Sequence, residues 1–297
     1  MSDFMQWAMA GIEHNSKVLA KAALIGGVAW VIEVCRPAAT DPGLSGRWHN
    51  FRVFIYLLVG LAITAPFMDW CARLLPTISL IERVLPDWKR DGIVGAVVGT
   101  AIYALVWDFF QYWAHRFEHK SSALWVFHRV HHSDTEVNSS TALRQSVGSV
   151  LVSFLFTHIP TTILCGGNMI PYLGFTLLFS GWGCFTHSNI RISLGPMRWV
   201  LSGPQWHRLH HAKDSLYHDC NFAAFFPFLD LIFGTLKAPE KDEWVETGIE
   251  NDTLPRTPFT QAFFPWRNEL PATSNTARPY SLAALQSRSV GDDPTSD

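Results

Sequence analysis

The sequence predicts an all-α, integral-membrane protein with about four to five transmembrane helices. Three observations carry that reading. Apolar residues make up 48% of the 297 and charged residues only 16%, against about 25% charged in ordinary soluble domains. Trp and Phe number 13 and 21, an aromatic load suited to a chain that meets lipid and its interface. Several apolar runs approach the roughly 20 residues that a membrane-crossing helix needs. The net charge of −2 offers no basic excess, and no helix-turn-helix or zinc-finger spacing is present, so nucleic acid is not an expected partner. The five cysteines, Cys35, Cys71, Cys165, Cys184 and Cys220, lie far apart with no CxxC pair; they read as small buried hydrophobes rather than a disulfide framework.

The first apolar run covers 18–35, where Glu33 makes it the weakest span. With Asp3 and Glu13 and no basic stretch ahead of it, the N-terminus does not read as a secretory signal. The second run is 52–70 and the third 93–113, with Gly and Ala early and aromatics late. Runs at 148–166 and 169–186, split by GGN at 166–168, read as a helical hairpin. If the third helix ends near Trp113, that hairpin returns the chain to the same side near Phe185. Residues 222–236, FAAFFPFLDLIFGTL, are short and interrupted by Pro227 and Asp230, so they read as interfacial or buried. From about 268 the composition turns to that of a disordered tail. The expected division is 1–92 for N-terminal membrane helices, 93–240 for the catalytic region, and 241–297 for a largely irregular extension.

Histidine carries the functional signal. Of 13 histidines, eight fall in HRFEH (His115, His119), HRVHH (His128, His131, His132) and HRLHH (His207, His210, His211). Residues three and four apart share a helix face, so each cluster is expected to present two or three imidazoles in one direction. Lone His187 follows the last apolar run, and the hairpin brings it to the same membrane face. Neutral imidazole binds Fe, Zn, Cu or Ni. Eight or nine ligands exceed what one such ion takes; they suit two ions with four to five nitrogens each. His14 and His49 lack such spacing, His158 beside Pro160 reads as a packed side chain, and His218 is a candidate for a ligand or an outer group. Lys120, Arg129, Arg144, Arg191, Arg198, Arg208 and Lys213 on the histidine face point to the cytoplasm.

The order H-x3-H, H-x2-HH, lone His, H-x2-HH, from about Asp108 to Thr235, resembles the fatty acid hydroxylase/sterol desaturase superfamily of membrane di-iron oxygenases. NFAAFFPFLDLIFGTL is similar to that family's closing motif, and HRVHHSDTEVNSSTALRQS is most similar to its alkylglycerol monooxygenase branch and bacterial relatives. The resemblance implies a helical fold with a cytosolic cap holding two irons, on a bacterial inner membrane. It implies His115, His119, His128, His131, His132, His187, His207, His210 and His211 as ligands, without dividing them between the metals.

Attack on an unactivated C–H bond needs an oxidant made from O2, which a redox metal supplies and no side chain can. The expected cofactors are therefore two Fe ions, replaceable by Zn on overexpression, with O2 as cosubstrate. A separate electron-transfer protein is the expected donor, since no CxxC site or flavin fingerprint is visible. Metal-ligating histidines need hydrogen bonds that fix their tautomers. Asp108, Glu118, Asp134, Glu136, Asp214 and Asp219 are candidates, Asp108 foremost because it ends an apolar helix. Asn221 is a candidate partner for metal-bound water. Arg144 reads equally as a lipid-headgroup contact or a helix cap, and Trp206 as packing. Phe109, Phe110, Tyr112 and Trp113 suggest an aromatic approach for a lipid chain. The expected activity is hydroxylation of a fatty acyl, ether lipid or sterol. A desaturase with the same centre and a membrane di-zinc hydrolase are the alternatives; HExxH is absent.

Overall fold

A computed structural model describes residues 24, 26–39, 43–74, 78, 83, 92–165, 181–241 and 243–267. Among these residues the regular structure is helical, with one isolated bridge between Ala212 and Thr247. The helices are α1 (Gly26–Cys35), α2 (Gly43–Arg73), α3 (Gly92–Lys120), α4 (Ser122–His132), α5 (Val147–Cys165), α6 (181–186), α7 (Pro204–His210), α8 (Pro227–Ile232) and α9 (Pro258–Phe263). The GGN turn, most of the 74–92 loop, His14 and the tail beyond 267 lie outside the described residues.

Two described helices, α3 and α5, are long and apolar enough to cross a membrane. The run expected at 52–70 lies within the longer α2, of 31 residues. Of the run at 18–35, the described part is mainly the ten-residue α1. Large apolar side chains point outward along α2 and α3, Ile63 at 71% exposure and Ile93 at 83% among them. Apolar faces of this kind mark contact with a membrane or a partner. In the described part of the 241–297 extension, Thr257 caps α9 by accepting from Thr260 N, and Phe259 of α9 meets Tyr56 of α2 edge-on at 5.5 Å.

α5 contains one wide turn, Phe154–His158, of π type. Pro160 explains it, because its ring displaces the carbonyl four residues back and it has no N–H to donate. α5 also packs closely at its start. A methyl added at Gly148 would stand 2.1 Å from Cδ1 of Phe127, and one at Gly60 of α2 would stand 2.4 Å from Cγ2 of Val147. These glycines seat α5 against α2 and against the helix that carries HRVHH. Below the histidines lies an aromatic core of Tyr112, Phe222, Ala223 and Leu229, with Trp113 and Phe233 against it. The cysteines are free: Cys165, Cys184 and Cys220 are buried as expected, whereas Cys35 is exposed because it ends α1 on its outer face.

Glu33 gains a role that composition did not reveal. Its carboxylate is fully buried. It meets Arg47 Nη1 at 2.6 Å, Ser139 N at 2.7 Å, Ser139 Oγ at 2.8 Å and Asn189 N at 2.7 Å. This hub joins α1, α2, the turn after HRVHH and the segment after His187. Removing one member of a buried ion pair strands the other in a medium that cannot solvate it. Glu33→Gln and Arg47→Met should therefore each lower stability by about 3–5 kcal/mol, and the Glu33→Met/Arg47→Met pair should recover part of that loss. Denaturant unfolding in detergent checks this; single variants within about 1 kcal/mol of the parent would contradict the burial cost.

Candidate metal centre

Each residue of an α-helix turns the side chain by about 100°, so positions i and i+4 lie about 40° apart while i+3 and i+4 diverge by about 100°. In H-x2-HH the first and last imidazoles therefore share a face and the middle one points elsewhere. The side chains follow that rule. His115, His119, His128, His132 and His210 form one group, and His131, His187, His207 and His211 another, with the candidate ligand atoms of each group within 4.8 Å of one another. HRVHH sends its outer pair to the five-histidine group and His131 to the other. HRLHH does the reverse, sending His210 to the five. Each cluster thus presents two imidazoles in one direction, as expected: the HRFEH pair and the outer pairs of HRVHH and HRLHH. The two groups adjoin, and the rings of His132 and His211 stack at 4.3 Å.

The ring nitrogens are sorted as well. In the five-histidine group Nε2 of His132 lies 3.1 Å from Nε2 of His119, His128 and His210. In the four-histidine group Nε2 of His187 lies 3.0 Å from that of His131 and 2.8 Å from that of His207, which is 3.2 Å from that of His211. Several Nδ1 atoms face outward to acceptors: His115 to the Phe222 carbonyl at 2.9 Å, His210 to the Cys220 carbonyl at 2.8 Å, and His187 to the Gly183 carbonyl at 2.7 Å. A neutral imidazole carries one proton. With that proton committed to a carbonyl, Nε2 is a bare lone pair aimed inward. Nε2 of His115 is buried without a hydrogen-bond partner. Converging lone pairs repel one another, and a cation between them is what this donor set fits.

The electrostatics agree. Burial and then mutual repulsion among the imidazoles hold His128, His131, His132, His207, His210 and His211 well below the ordinary histidine pKa. Burial lowers His187 to about 4, against the raising effect of its bond to Gly183. Near neutral pH these side chains are in the neutral form that metals bind.

The carboxylates divide. Glu118 lies by a histidine, with Oε2 3.3 Å from His128 Nδ1 and Oε1 accepting from Ser149 Oγ at 2.6 Å. Asp219 is 4.0 Å from His119 Nδ1, too far for a hydrogen bond, and pairs with Lys120 at 2.7 Å. Asp108 does not orient an imidazole. It accepts from Ala224 N at 2.7 Å, Phe225 N at 3.0 Å and Phe226 N at 2.7 Å, and so clamps the closing segment to α3. Asn221 is likewise committed to backbone: its amide donates to the Trp206 and Lys237 carbonyls and accepts from Lys237 N. Asp134 binds Asn50 and Thr141, Asp214 caps the 215–217 turn, and the Glu136 carbonyl receives Asn138.

Other expectations resolve in the same way. Arg144 is a cap: its guanidinium donates to the Val130 carbonyl near the end of α4, to Ser133 Oγ and to Asn50. Trp206 packs edge-on against Trp199. His49 meets Gln261, and His158 faces outward beside Trp107 rather than into a core. His218 is in neither group; with Lys120, Trp125, Asp219 and Glu250 it lines a cavity of about 500 Å³ that reaches His119, His132 and His210. Tyr112 leaves the proposed aromatic approach. It is fully buried and its hydroxyl meets Thr235 Oγ1 at 2.8 Å, whereas Phe109 is exposed. Sequence reasoning missed the carbonyls of Gly183, Cys220 and Phe222, because a backbone acceptor leaves no residue-type signal. Gly183 alone was within reach of pattern, standing one helical turn before His187.

Residues 100–235 match the family model described as fatty acid hydroxylase. The alkylglycerol monooxygenase of Danio rerio is 38% identical over 137 residues, 46% of this chain and 30% of that protein. The human alkylglycerol monooxygenase is 36% identical, over 44% of this chain and 29% of its own length. This chain thus covers less than a third of those two relatives. The ornithine lipid hydroxylase OlsE of Rhizobium tropici is 28% identical over 72% of this chain and 77% of its own length. No solved structure matches. The histidine-bearing region is thus similar both to the fatty acid hydroxylase family model and to these lipid monooxygenases and hydroxylases.

The depressed histidines give the metal-free protein a pH dependence of known sign. Unfolded histidine takes up protons as pH falls through about 6.5, whereas the folded cluster resists until lower pH, so the unfolded state binds more protons in between. Stability is full above the unfolded value and is lost as pH falls toward about 4, the value of His187. Each proton of difference contributes about 1.4 kcal/mol per pH unit. Thermal unfolding of chelator-treated protein should show a steep fall below pH about 6.5; a flat profile from 7.5 to 5 would refute the buried neutral cluster.

Proposed function

We propose that this protein is a member of the fatty acid hydroxylase superfamily and an O2-dependent di-iron hydroxylase of a membrane lipid or similar hydrophobic substrate. One observation carries the reading: nine imidazoles divide into groups of five and four, with inward Nε2 atoms 2.8–3.2 Å apart. The groups would hold two metal ions, and bound iron would supply the O2-derived oxidant that C–H attack requires. The rest is the work of the chain. The Phe222, Cys220 and Gly183 carbonyls hold their imidazoles in one tautomer. Eight of the nine histidines are buried, and the cavity beside His218 gives access to the five-histidine group at His119, His132 and His210. No Asp or Glu joins either group among the described residues, which disfavours the carboxylate-bridged arrangement of a di-zinc hydrolase.

Membrane attachment follows from length. α3 has 29 residues, and about 20 of them fill the hydrocarbon thickness. His115 and His119 then stand just beyond it, where a lipid can reach them without leaving the bilayer. Phe109, Trp113 and Phe233 lie at that level, with the last two rings 4.9 Å apart. The proposal includes a multi-pass inner-membrane topology of four to five spans, a cytoplasmic metal-bearing cap, and a separate protein delivering two electrons. OlsE and the alkylglycerol monooxygenases are named for acting on lipids, which supports that substrate class.

Purified protein from iron-replete cells, supplied with a reductant and labelled O2, should place one labelled oxygen in a lipid product detected by mass spectrometry. Label from water alone would replace the reading with hydrolysis, and an unlabelled olefin would replace it with desaturation. His131→Ala and His210→Ala, one from each group, should each lower turnover by a factor of at least about 100, the upper range for lost metal-site support.

A further inference from the structure

Among the described residues the two histidine groups differ in more than number. Glu118 is the one carboxylate within about hydrogen-bond reach of a candidate ligand's outer nitrogen, at 3.3 Å from His128 Nδ1. It is buried and is fixed from its other oxygen by the Ser149 hydroxyl at 2.6 Å. It therefore links α3, which carries it, to His128 on α4 and Ser149 on α5. The four-histidine group lacks such a partner. His187 faces a neutral carbonyl, the Gln145 amide lies 3.2 Å from His131 Nδ1, and Nδ1 of His211 is buried without a partner.

A carboxylate on the outer nitrogen of a ligating histidine fixes the ring and makes the inner nitrogen a stronger donor; neutral partners do this less. The five-histidine group combines the extra nitrogen, the carboxylate, and the cavity that opens on His119, His132 and His210. We propose that Glu118 is a positioning residue that makes the five-histidine group the tighter metal site, so that the two ions load in order, five-histidine group first. This rests on the reading that both groups hold divalent metal ions.

The test is a titration of the full chain in detergent, stripped by chelator and titrated with Co2+ against a competing chelator, following ligand-field absorption. The parent should fill in two phases, the first at least about tenfold tighter. His187→Ala should abolish the second phase and spare the first. Glu118→Gln keeps the shape but replaces the ionisable carboxyl group with a neutral amide, and should weaken the first phase by about ten- to a hundredfold with the second unchanged. A purely structural clip between α3 and α5 would instead weaken both phases together. If Glu118→Gln loses its helical circular dichroism, Ser149→Ala takes its place; freeing the Glu118 anchor should weaken the first phase alone. Equal affinities in the parent, or a first phase that neither variant moves, overturn the proposal while leaving a two-metal protein. Failure to bind Co2+, Zn2+ or Fe2+ at all would overturn both the proposal and the reading beneath it.

Discussion

The constraint on which the rest depends is the crowding of neutral imidazoles whose inner nitrogens face one another at about hydrogen-bond distance with bare lone pairs. A cation fits between them in one tautomer only, and for His115, His187 and His210 that tautomer is set from outside by a backbone carbonyl. Such an acceptor must not move. The Phe222 and Cys220 carbonyls, which serve His115 and His210, belong to the segment after α7. That segment is irregular and passes through the left-handed region at Asp219 (φ 61°) and Asn221 (φ 53°). A backbone in that region is strained for residues other than glycine and persists when its surroundings hold it.

Two buried carboxylates and an amide provide the hold. Asp230 accepts from Phe222 N at 2.7 Å, Ala223 N at 3.1 Å and Thr235 Oγ1 at 2.8 Å, and Asn221 pins the segment to Lys237. Burial raises Asp230 to about 6, and the donors around it oppose the shift. Asp108 takes the next three N–H groups. Asp108 and His115 are seven residues apart on α3, which is two turns. The helix therefore grips with one side chain the loop whose carbonyl orients another of its side chains. Aromatic packing closes the circuit: Tyr112 lies between those two positions and meets the Phe222 ring at 6.0 Å. Burying side chains of that size contributes roughly 1.5–3 kcal/mol each, so the scaffold that holds the tautomers is the core itself.

This accounts for what the sequence made legible. Periodicity and composition reveal which stretches are helical and which side chains are chemically unusual, so the long apolar helices α3 and α5 and the three histidine clusters could be read from residue type and spacing. The division into five and four follows from 100° per residue, but it needed the relative placement of α4 and α7. Asp108 was singled out as a carboxylate that burial makes costly and Asn221 as a partner for metal-bound water; in the structure the partners of both are backbone groups. Residue type announces that a buried carboxylate has donors; it does not say whether they are imidazoles or main-chain N–H groups. Glu33 shows the same limit. In a linear reading it only weakened a span, and its partners Arg47, Ser139 and Asn189 lie far along the chain.

The reciprocal use of the two H-x2-HH segments has a structural consequence of its own. α4 supplies two imidazoles to one group and one to the other, and α7 with His211 supplies the complement. Neither group has its full set unless both segments are docked. A repeat in which each helix served one ion would leave two independent sites free to shift relative to each other. Interleaving removes that freedom, since displacing either segment disturbs both groups. The stacked rings of His132 and His211, one from each segment and each group, sit at the seam. The spacing between the groups is thereby set by helix docking, and docking rests on close contacts such as Gly148 against Phe127, the residue immediately before His128. The separation of the two groups is thus held by a shared pair of segments, without a bridging side chain.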